Sequence, residues 1–277
     1  MAGFLSTLLE ASRRNRSLVC VGLDFDPRRI PSSLAGEGDP WLIFNRAIVE
    51  ATADLVCAYK PNLAFYEALG VDGLDLLSQK LEVLPEDIPV IGDAKRGDIG
   101  HTSAAYAQAL FDGFGFDAVT LNPYLGLEAL EPFLAYADKG AFVLCRTSNA
   151  GAREFQDLLV QPSPEQPAMP LYELVARRVV AANERGNLGL VVGATYPEEL
   201  GRVRALAPDL PLLIPGVGAQ AGDLERSVRA GVDSQGERAV INSSRQILYA
   251  SSGPDFAAAA RQAALALRDE INRYRQW

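Results

Sequence analysis

Residues 88–103 read IPVIGDAKRGDIGHTS, an apolar run that passes directly into a charged segment. An apolar run without polar alternation is typical of a strand that is buried on both faces, as in a parallel sheet covered by helices. The charged side chains Asp93, Lys95 and Asp98 follow where that strand is expected to end. This stretch therefore predicts a parallel α/β fold with a polar site at the carboxyl end of one strand.

Seven further apolar runs resemble this one, so the chain contains eight predicted strands. The strands cover residues 18–24, 54–60, 88–95, 117–122, 141–147, 188–195, 210–215 and 238–243. Amphipathic helical patterns lie between them, at residues 41–53, 127–137, 171–184 and 197–206. Repeated β-α units of this kind close most naturally into a barrel. We therefore expect one (β/α)8 barrel, the TIM barrel, as a single domain over residues 1–277. An alanine-rich helix that starts near Pro254 is expected to pack against it.

The composition indicates a globular protein that does not bind nucleic acid. Of 277 residues, 48% are hydrophobic and 22% are charged, which is enough apolar material for one sizeable core. The net charge of −9 argues against a nucleic-acid partner, because phosphate backbones are bound by clustered Lys and Arg. A small anionic ligand remains compatible with this charge if the pocket that holds it is locally positive.

The cysteine and histidine content limits which kinds of catalytic and metal-binding site the chain can form. Cys20, Cys57 and Cys145 are far apart in apolar runs, so we expect buried free thiols in a reducing compartment. We expect a cytoplasmic protein without membrane contact, since neither a signal-peptide pattern nor a run of membrane-spanning length occurs. His101 is the only histidine, which removes the usual base of a Ser/His/Asp triad and the usual zinc cluster. Acid–base chemistry must therefore rely on Lys, Asp or Glu.

Charged and polar residues end most of the predicted strands, on the side where barrel enzymes carry their active sites. Asp93 and Lys95 are two apart and so point to the same side of their strand. Lys60 ends the strand expected to lie beside it, and Asp98 follows in the loop. Two lysines and two aspartates can thus alternate in space. The other interpretation is that these are solvated rim charges, with Asp98 capping a helix that begins near Ile99.

The pattern of these residues resembles the orotidine 5′-monophosphate decarboxylase family. The family's motif Asp-x-Lys-x-x-Asp-[Ile/Val] matches residues 93–99, DAKRGDI. The resemblance continues in order along nearly the whole chain, at Asp24 in VGLDFDP, Lys60 in AYKPN, Thr102 in GDIGHT, Ser148 in RTSN, Gln220 in PGVGAQAGD and Arg245 in NSSRQI. The segments TLNPYLGLEALEPF and VVGATYPEEL look like the longer bacterial branch of that family.

The resemblance implies removal of CO2 from orotidine 5′-monophosphate to give uridine 5′-monophosphate, in pyrimidine nucleotide synthesis, with no metal and no cofactor. Lys95 would stabilise the carbanion at C6 and protonate it, held in place by Asp93 and Asp98. The resemblance also implies substrate contacts for residues along the barrel rim. Asp24, Lys60 and Thr102 would contact the ribose, and Ser148 would contact the amide edge of the pyrimidine. The phosphate would be bound by Gly216, Gly218, Gln220 and Arg245. The resemblance also implies a homodimer with shared active sites, in which Asp98 and Thr102 reach the partner's site.

Three questions stay open at the level of sequence. A magnesium-dependent phosphosugar decarboxylase or aldolase of the same superfamily is one alternative, although Lys60 stands where those relatives place a metal-binding carboxylate. A non-catalytic sensor of a phosphorylated metabolite is another. The segment 148–170, which is rich in proline, is either a lid that orders on binding or surface decoration. No role is predicted for Asn122 and Tyr124.

Overall fold

A computed structural model describes residues 3–36, 38–216 and 224–275 of the chain. Its main sheet has eight strands, every adjacent pair of which is parallel. The strands of the chain are β1 (Val19–Gly22), β2 (Ala58–Lys60), β3 (Ile91–Arg96), β4 (Ala118–Leu121), β5 (Gly140–Arg146), β6 (Leu159–Val160), β7 (Met169–Pro170), β8 (Leu188–Val192), β9 (Leu212–Pro215) and β10 (Ala239–Ser243). Among the strands of the described residues, only β6 and β7 lie outside the main sheet, where they form a small antiparallel hairpin.

Helices separate these strands along the chain. They are α1 (Phe4–Arg14), α2 (Pro40–Thr52), α3 (Leu63–Glu67), α4 (Val71–Leu81), α5 (Gly100–Gln108), α6 (Glu131–Leu134), α7 (Leu171–Ala182), α8 (Pro197–Leu206), α9 (Leu224–Gly231), α10 (Arg245–Leu248) and α11 (Phe256–Tyr274). Short 3-10 turns occur at Pro27–Arg29, Ser32–Leu34, Ala53–Leu55, Pro123–Leu125, Leu127–Leu130 and Ala150–Glu154, and a π-helical turn at Ala109–Gly113.

The sheet closes on itself between β2 and β3. The strand order is β2-β1-β10-β9-β8-β5-β4-β3, and the two ends meet through parallel bridges from Tyr59 to Val90 and from Asn62 to Asp93. The backbone N–H of Tyr59 donates to Pro89 O at 3.0 Å across the same seam. The predicted (β/α)8 barrel is therefore confirmed, and so is the expectation that the strands of Lys60 and Asp93 are neighbours.

One residue from each barrel strand fills the interior. The layer consists of Cys20, Ala58, Ile91, Ala118, Phe142, Val191, Leu213 and Val240. Phe4 and Leu8 of α1 belong to the same cluster, and the Phe4 ring meets Phe142 edge-on at 5.7 Å between centroids, so α1 plugs the amino-terminal end of the barrel. Because strand side chains alternate with a period of two, the residues two positions later form the next layer, towards the carboxyl ends.

Two predicted elements differ from the structure. The helix expected over 127–137 is a 3-10 turn, Leu127–Leu130, followed by the four-residue α6. Pro132 lies in the first turn of α6, where its ring and missing N–H prevent a helix from continuing through it. The strand expected over 54–60 begins only at Ala58. Asp54 forms a bidentate ion pair with Arg261 of α11, at 2.6 and 2.8 Å, so that residue faces outward in a turn.

The segment 148–170 forms part of the barrel rim. Asp157 Oδ1 lies 3.0 Å from Arg146 Nε at the end of β5. The Gln156 side-chain oxygen accepts a hydrogen bond from the Thr147 backbone N–H at 2.8 Å. The hairpin of β6 and β7 then leads into α7. These contacts favour the interpretation of this segment as an ordered surface decoration of the barrel over a lid that orders on binding.

The three cysteines of the sequence lie in the core. Cys20, Cys57 and Cys145 are buried free thiols, as predicted. Burial raises the pKa of the Cys57 and Cys145 thiols to about 12, so both are protonated at neutral pH. In the described parts of the chain, every helix is too short or too polar to cross a membrane.

Candidate active site

Lys60, Asp93 and Lys95 form one charge array at the carboxyl ends of β2 and β3. Lys60 Nζ donates to Asp93 Oδ2 at 2.9 Å, and Lys95 Nζ donates to Asp93 Oδ1 at 2.5 Å. The side chains of Lys60 and Asp93 are almost completely buried, whereas about half of the Lys95 side chain is exposed. The Lys95 ammonium is therefore the most exposed member of the array.

The electrostatics of this array keep Lys60 and Asp93 charged. Burial opposes ionisation of Asp93, but the ammonium groups of Lys60 and Lys95 outweigh it and hold the Asp93 pKa well below its ordinary value. Burial likewise opposes the charged form of Lys60, yet Asp93 and Asp24 raise the Lys60 pKa above its ordinary value. The two lysines share the Asp93 carboxylate, and the more exposed of them, Lys95, presents its positive charge towards solvent.

The backbone at Lys95 departs from regular strand geometry. Its φ is +49°, in the left-handed region, and the register between β3 and β4 shifts between Gly92 and Arg96. The Lys95 N–H donates to Thr120 Oγ1 at 2.9 Å, and Thr120 Oγ1 donates to Asp93 Oδ1 at 2.8 Å. Sequence reasoning missed Thr120, although a polar residue inside the apolar run AVTL of β4 is a detectable signal.

Among the described residues, Asp98 and Thr102 make no hydrogen bond or ion pair with the array of their own chain. Asp98 accepts a hydrogen bond from the N–H of Ile99, and in the described parts of the chain it makes no ion pair with a lysine. The helix-cap interpretation of Asp98 is wrong, because the N-cap of α5 is Ile99 and no side chain caps that helix. Thr102 lies exposed in the first turn of α5.

The candidate phosphate residues that can be described lie on the adjacent strands β9 and β10. Gly216 follows β9 directly and has a φ of +94°, a conformation that favours glycine. Arg245 begins α10, two residues after β10, with an exposed side chain and no ion-pair partner in the described parts of the chain. Gly218 and Gln220 lie outside the described residues. Gly216 and Arg245 thus leave backbone and guanidinium donors at one end of the barrel.

Asp24 and Ser148 complete the described rim. Asp24 follows β1, is partly buried, and has a buried Oδ1 without a hydrogen-bond partner. Ser148 follows β5 and packs against Gly193 so closely that a Cβ at residue 193 would lie 2.7 Å from the Ser148 Cβ. Gly193 is therefore a second residue that sequence reasoning missed.

Arg146 is a third missed residue, and it supports the loop that carries Ser148. Its side chain is fully buried, its guanidinium carbon lies 4.1 Å from the centre of the Tyr196 ring, and its Nε lies 3.0 Å from Asp157 Oδ1. Asn122, for which no role was predicted, caps the turn Pro123–Leu125 by accepting the N–H of Tyr124 at 3.0 Å. The Tyr124 side chain is largely exposed.

A parallel eight-stranded barrel with a buried lysine–aspartate array at its carboxyl ends defines a TIM-barrel enzyme. Comparison with known proteins identifies the family to which this enzyme belongs. The chain belongs to the orotidine 5′-phosphate decarboxylase / HUMPS family, whose model matches residues 17–263.

Three relatives place the chain more closely within that family. The orotidine 5′-phosphate decarboxylase of Thermomicrobium roseum is 53% identical over 274 residues, which cover 99% of this chain and 96% of the relative. The structure of Leishmania donovani OMP decarboxylase has a TM-score of 0.82 and 40% identity, over 98% of both chains. The structure of Leishmania donovani UMP synthase has a TM-score of 0.87 and 42% identity, over 99% of this chain and 57% of that one. The family expected from residues 93–99 is confirmed, and the magnesium-dependent alternative is not favoured.

Proposed function

We propose that this chain decarboxylates orotidine 5′-monophosphate to uridine 5′-monophosphate and CO2. The observation that carries this proposal is the array of Lys60, Asp93 and Lys95, in which one ammonium is left facing the open end of the barrel. Breaking the bond between C6 and the carboxylate leaves an electron pair on C6 with little resonance stabilisation. A fixed positive charge beside that carbon stabilises the pair as it develops.

Lys95 then supplies the proton. Its ammonium transfers one proton to C6, which gives uridine 5′-monophosphate and a neutral amine that water reprotonates. Asp93 holds the Lys95 ammonium at 2.5 Å and so keeps it oriented before the substrate arrives. The Asp93 carboxylate also lies close to where the substrate carboxylate would bind, and repulsion between them adds a smaller contribution to loss of CO2.

Binding energy from the phosphate supplements this local charge. Enzymes of very slow reactions lower the barrier by as much as about 23 kcal/mol, whereas one charge contact gives about 4 kcal/mol at an effective dielectric constant near 20. Contacts remote from C6 must therefore orient the ring. We assign phosphate binding to Arg245 and to the segment of Gly216, Gly218 and Gln220, because barrel phosphate sites commonly lie on the last two units.

The sugar and base contacts are assigned to the remaining rim residues. Asp24 and Lys60 bind the ribose hydroxyls, and Asp24 has a buried Oδ1 without a hydrogen-bond partner. Ser148, fixed against Gly193, hydrogen-bonds the amide edge of the pyrimidine. Thr102 completes the ribose site from a second copy of the chain.

We infer that the working unit is a homodimer with shared sites. Asp98 and Thr102 make no hydrogen bond or ion pair with the array of their own chain among the described residues, which is what is expected if they serve a partner. Ile99 is 61% exposed beside them, and Tyr106, about two turns further along, is also exposed. An apolar strip next to unpaired polar groups is typical of a surface that a second chain covers.

The proposed reaction uses neither metal nor cofactor, and the proposed location is the cytoplasm. Lys60 supports the first point, since its buried ammonium at the end of β2 would repel a divalent cation. The three buried thiols suit a reducing compartment. We also propose that residues 1–277 act as one domain, because the eight barrel strands belong to one sheet.

One assay tests the proposal. Purified protein is incubated with orotidine 5′-monophosphate in excess EDTA, and the pyrimidine absorbance is followed. We expect the same rate with and without EDTA. Activity that is lost in EDTA and restored by magnesium would favour the metal-dependent alternative. Binding of the nucleotide without turnover would favour the sensor.

A further inference from the structure

Asp93 and the backbone of Lys95 are both held by a residue outside the recognised motif, Thr120 of β4. The Thr120 side chain is 1% exposed, and its hydroxyl makes two hydrogen bonds at once. Oγ1 accepts the backbone N–H of Lys95 at 2.9 Å and donates to Asp93 Oδ1 at 2.8 Å. A hydroxyl can accept and donate simultaneously, whereas a methyl group of similar size can do neither.

The position of Lys95 makes the first of these bonds necessary. Lys95 interrupts the ladder between β3 and β4, so its N–H has no partner on the backbone of the neighbouring strand. Its φ of +49° is unfavourable for a residue with a Cβ and persists only when the surroundings hold it. Thr120 contributes to holding this conformation, because its hydroxyl accepts the Lys95 N–H.

The second bond fixes the orientation of the Asp93 carboxylate. Oδ2 accepts from Lys60, while Oδ1 accepts from both Lys95 and Thr120. The plane of the carboxylate is therefore defined by donors from β2, β3 and β4. If Thr120 lost its hydroxyl, Asp93 could rotate about its side-chain bonds and carry the Lys95 ammonium with it.

We propose that Thr120 is a positioning residue for the decarboxylation, one that sets the backbone of Lys95 and the plane of Asp93. This inference rests on the proposed function and adds to it a residue that does not touch the substrate. Thr120 lies two residues beyond Ala118, in the interior layer next to the carboxyl ends, directly beside Asp93. It acts on the transition state through Lys95 and Asp93, so we expect substrate binding to depend on it only weakly.

The experiment compares Thr120→Val, Thr120→Ser and a matched control, Thr52→Val. Thr52 is also fully buried, and its hydroxyl donates to Ile48 O at 2.8 Å and lies 2.9 Å from Tyr59 Oη, outside the array. For each variant kcat and KM for orotidine 5′-monophosphate and the thermal unfolding midpoint are measured. Wild-type protein is assayed in parallel.

We expect Thr120→Val to lower kcat by about 10- to 100-fold with KM within about threefold of wild type, since a small displacement of a reacting group costs up to about 10²-fold. Thr120→Ser, which keeps the hydroxyl, is expected to restore kcat to within about threefold. Thr52→Val is expected to lower the unfolding midpoint without changing kcat.

Each other outcome contradicts the inference. A wild-type kcat in Thr120→Val would mean that the hydroxyl does not position Lys95. Equal losses in the Val and Ser variants, or a rise in KM that accounts for the whole effect, would assign Thr120 to packing or binding. If wild-type protein itself fails to turn over the nucleotide, the proposed function fails and this inference fails with it.

Discussion

Lys60 Nζ lies 2.9 Å from Asp93 Oδ2, and both side chains are almost completely removed from solvent. Two such groups stay charged only if each stabilises the other, because burial alone favours the neutral form of both. Here the Asp93 pKa is well below its ordinary value and the Lys60 pKa is above its own. Lys60 thus keeps Asp93 ionised for its contact with Lys95.

Removal of the Lys60 charge should therefore destabilise the fold. We expect Lys60→Met to lower the free energy of unfolding by about 3 kcal/mol at pH 7, because one partner of a buried ion pair is left uncompensated. The control is Lys139→Met, which removes a lysine 3.7 Å from Asp117 at the opposite end of the barrel. Urea unfolding at constant temperature measures both changes.

The difference between wild type and Lys60→Met should also depend on pH. Asp93 has a depressed pKa in the folded state, so its contribution to stability is present above its unfolded-state pKa of about 3.8 and is lost as pH falls below it. Without Lys60 the folded-state pKa of Asp93 rises, so less stability remains to be lost. We expect the two proteins to converge in stability between about pH 4 and pH 2. A constant difference over that interval would contradict the ion-pair account.

Lys95→Ala should remove nearly all turnover while uridine 5′-monophosphate still binds. The substitution removes both the charge beside C6 and the proton donor, whereas the phosphate and ribose contacts lie elsewhere. Single-turnover kinetics and equilibrium titration with the product measure the two effects separately. Near-normal turnover in this variant would overturn the mechanism.

Arg245→Ala should weaken catalysis on the nucleotide by about 3 kcal/mol in kcat/KM, since a hydrogen-bonded charge contact to phosphate is lost. The phosphate-free nucleoside should be affected little. Arg229→Ala is a suitable control, because Arg229 is exposed on α9 and pairs with Glu225. Equal losses on nucleotide and nucleoside would place Arg245 outside the phosphate site.

Mixing two inactive variants tests the shared-site dimer. Heterodimers of Lys95→Ala and Asp98→Ala chains should contain one doubly damaged site and one intact site, so activity should reappear after subunit exchange. If Asp98 served its own chain, every site would keep one lesion and mixing would restore nothing. Light scattering and a tagged chain establish that heterodimers have formed.

Local pattern determined much of this protein. The apolar runs identified eight strands because a strand buried on both faces must be apolar throughout, and this requirement is visible in the residues themselves. The short motif of residues 93–99 marked Asp93, Lys95 and Asp98 as candidate site residues. The helix Pro197–Leu206 begins and ends where its sequence pattern predicts. Two elements differ from the pattern, because Pro132 interrupts a predicted helix and the outward ion pair of Asp54 shortens a predicted strand. Each difference depends on a single residue, which the periodicity of the surrounding sequence does not reveal.

Only the tertiary structure decided how the charges are arranged. At the bulge that places Lys95 at a φ of +49°, Thr120 of β4 accepts the Lys95 N–H, a relation between residues 25 positions apart. The absence of Asp98 from its own array depends on the path of the chain after β3. The buried Arg146 can support the loop that carries Ser148 because the fold brings Asp157 and Tyr196 next to it. Sequence determines which groups are available, because residue type fixes charge and burial preference. Their distances and pKa values are set by the closure of the barrel, which brings distant strand ends together in a dry interior.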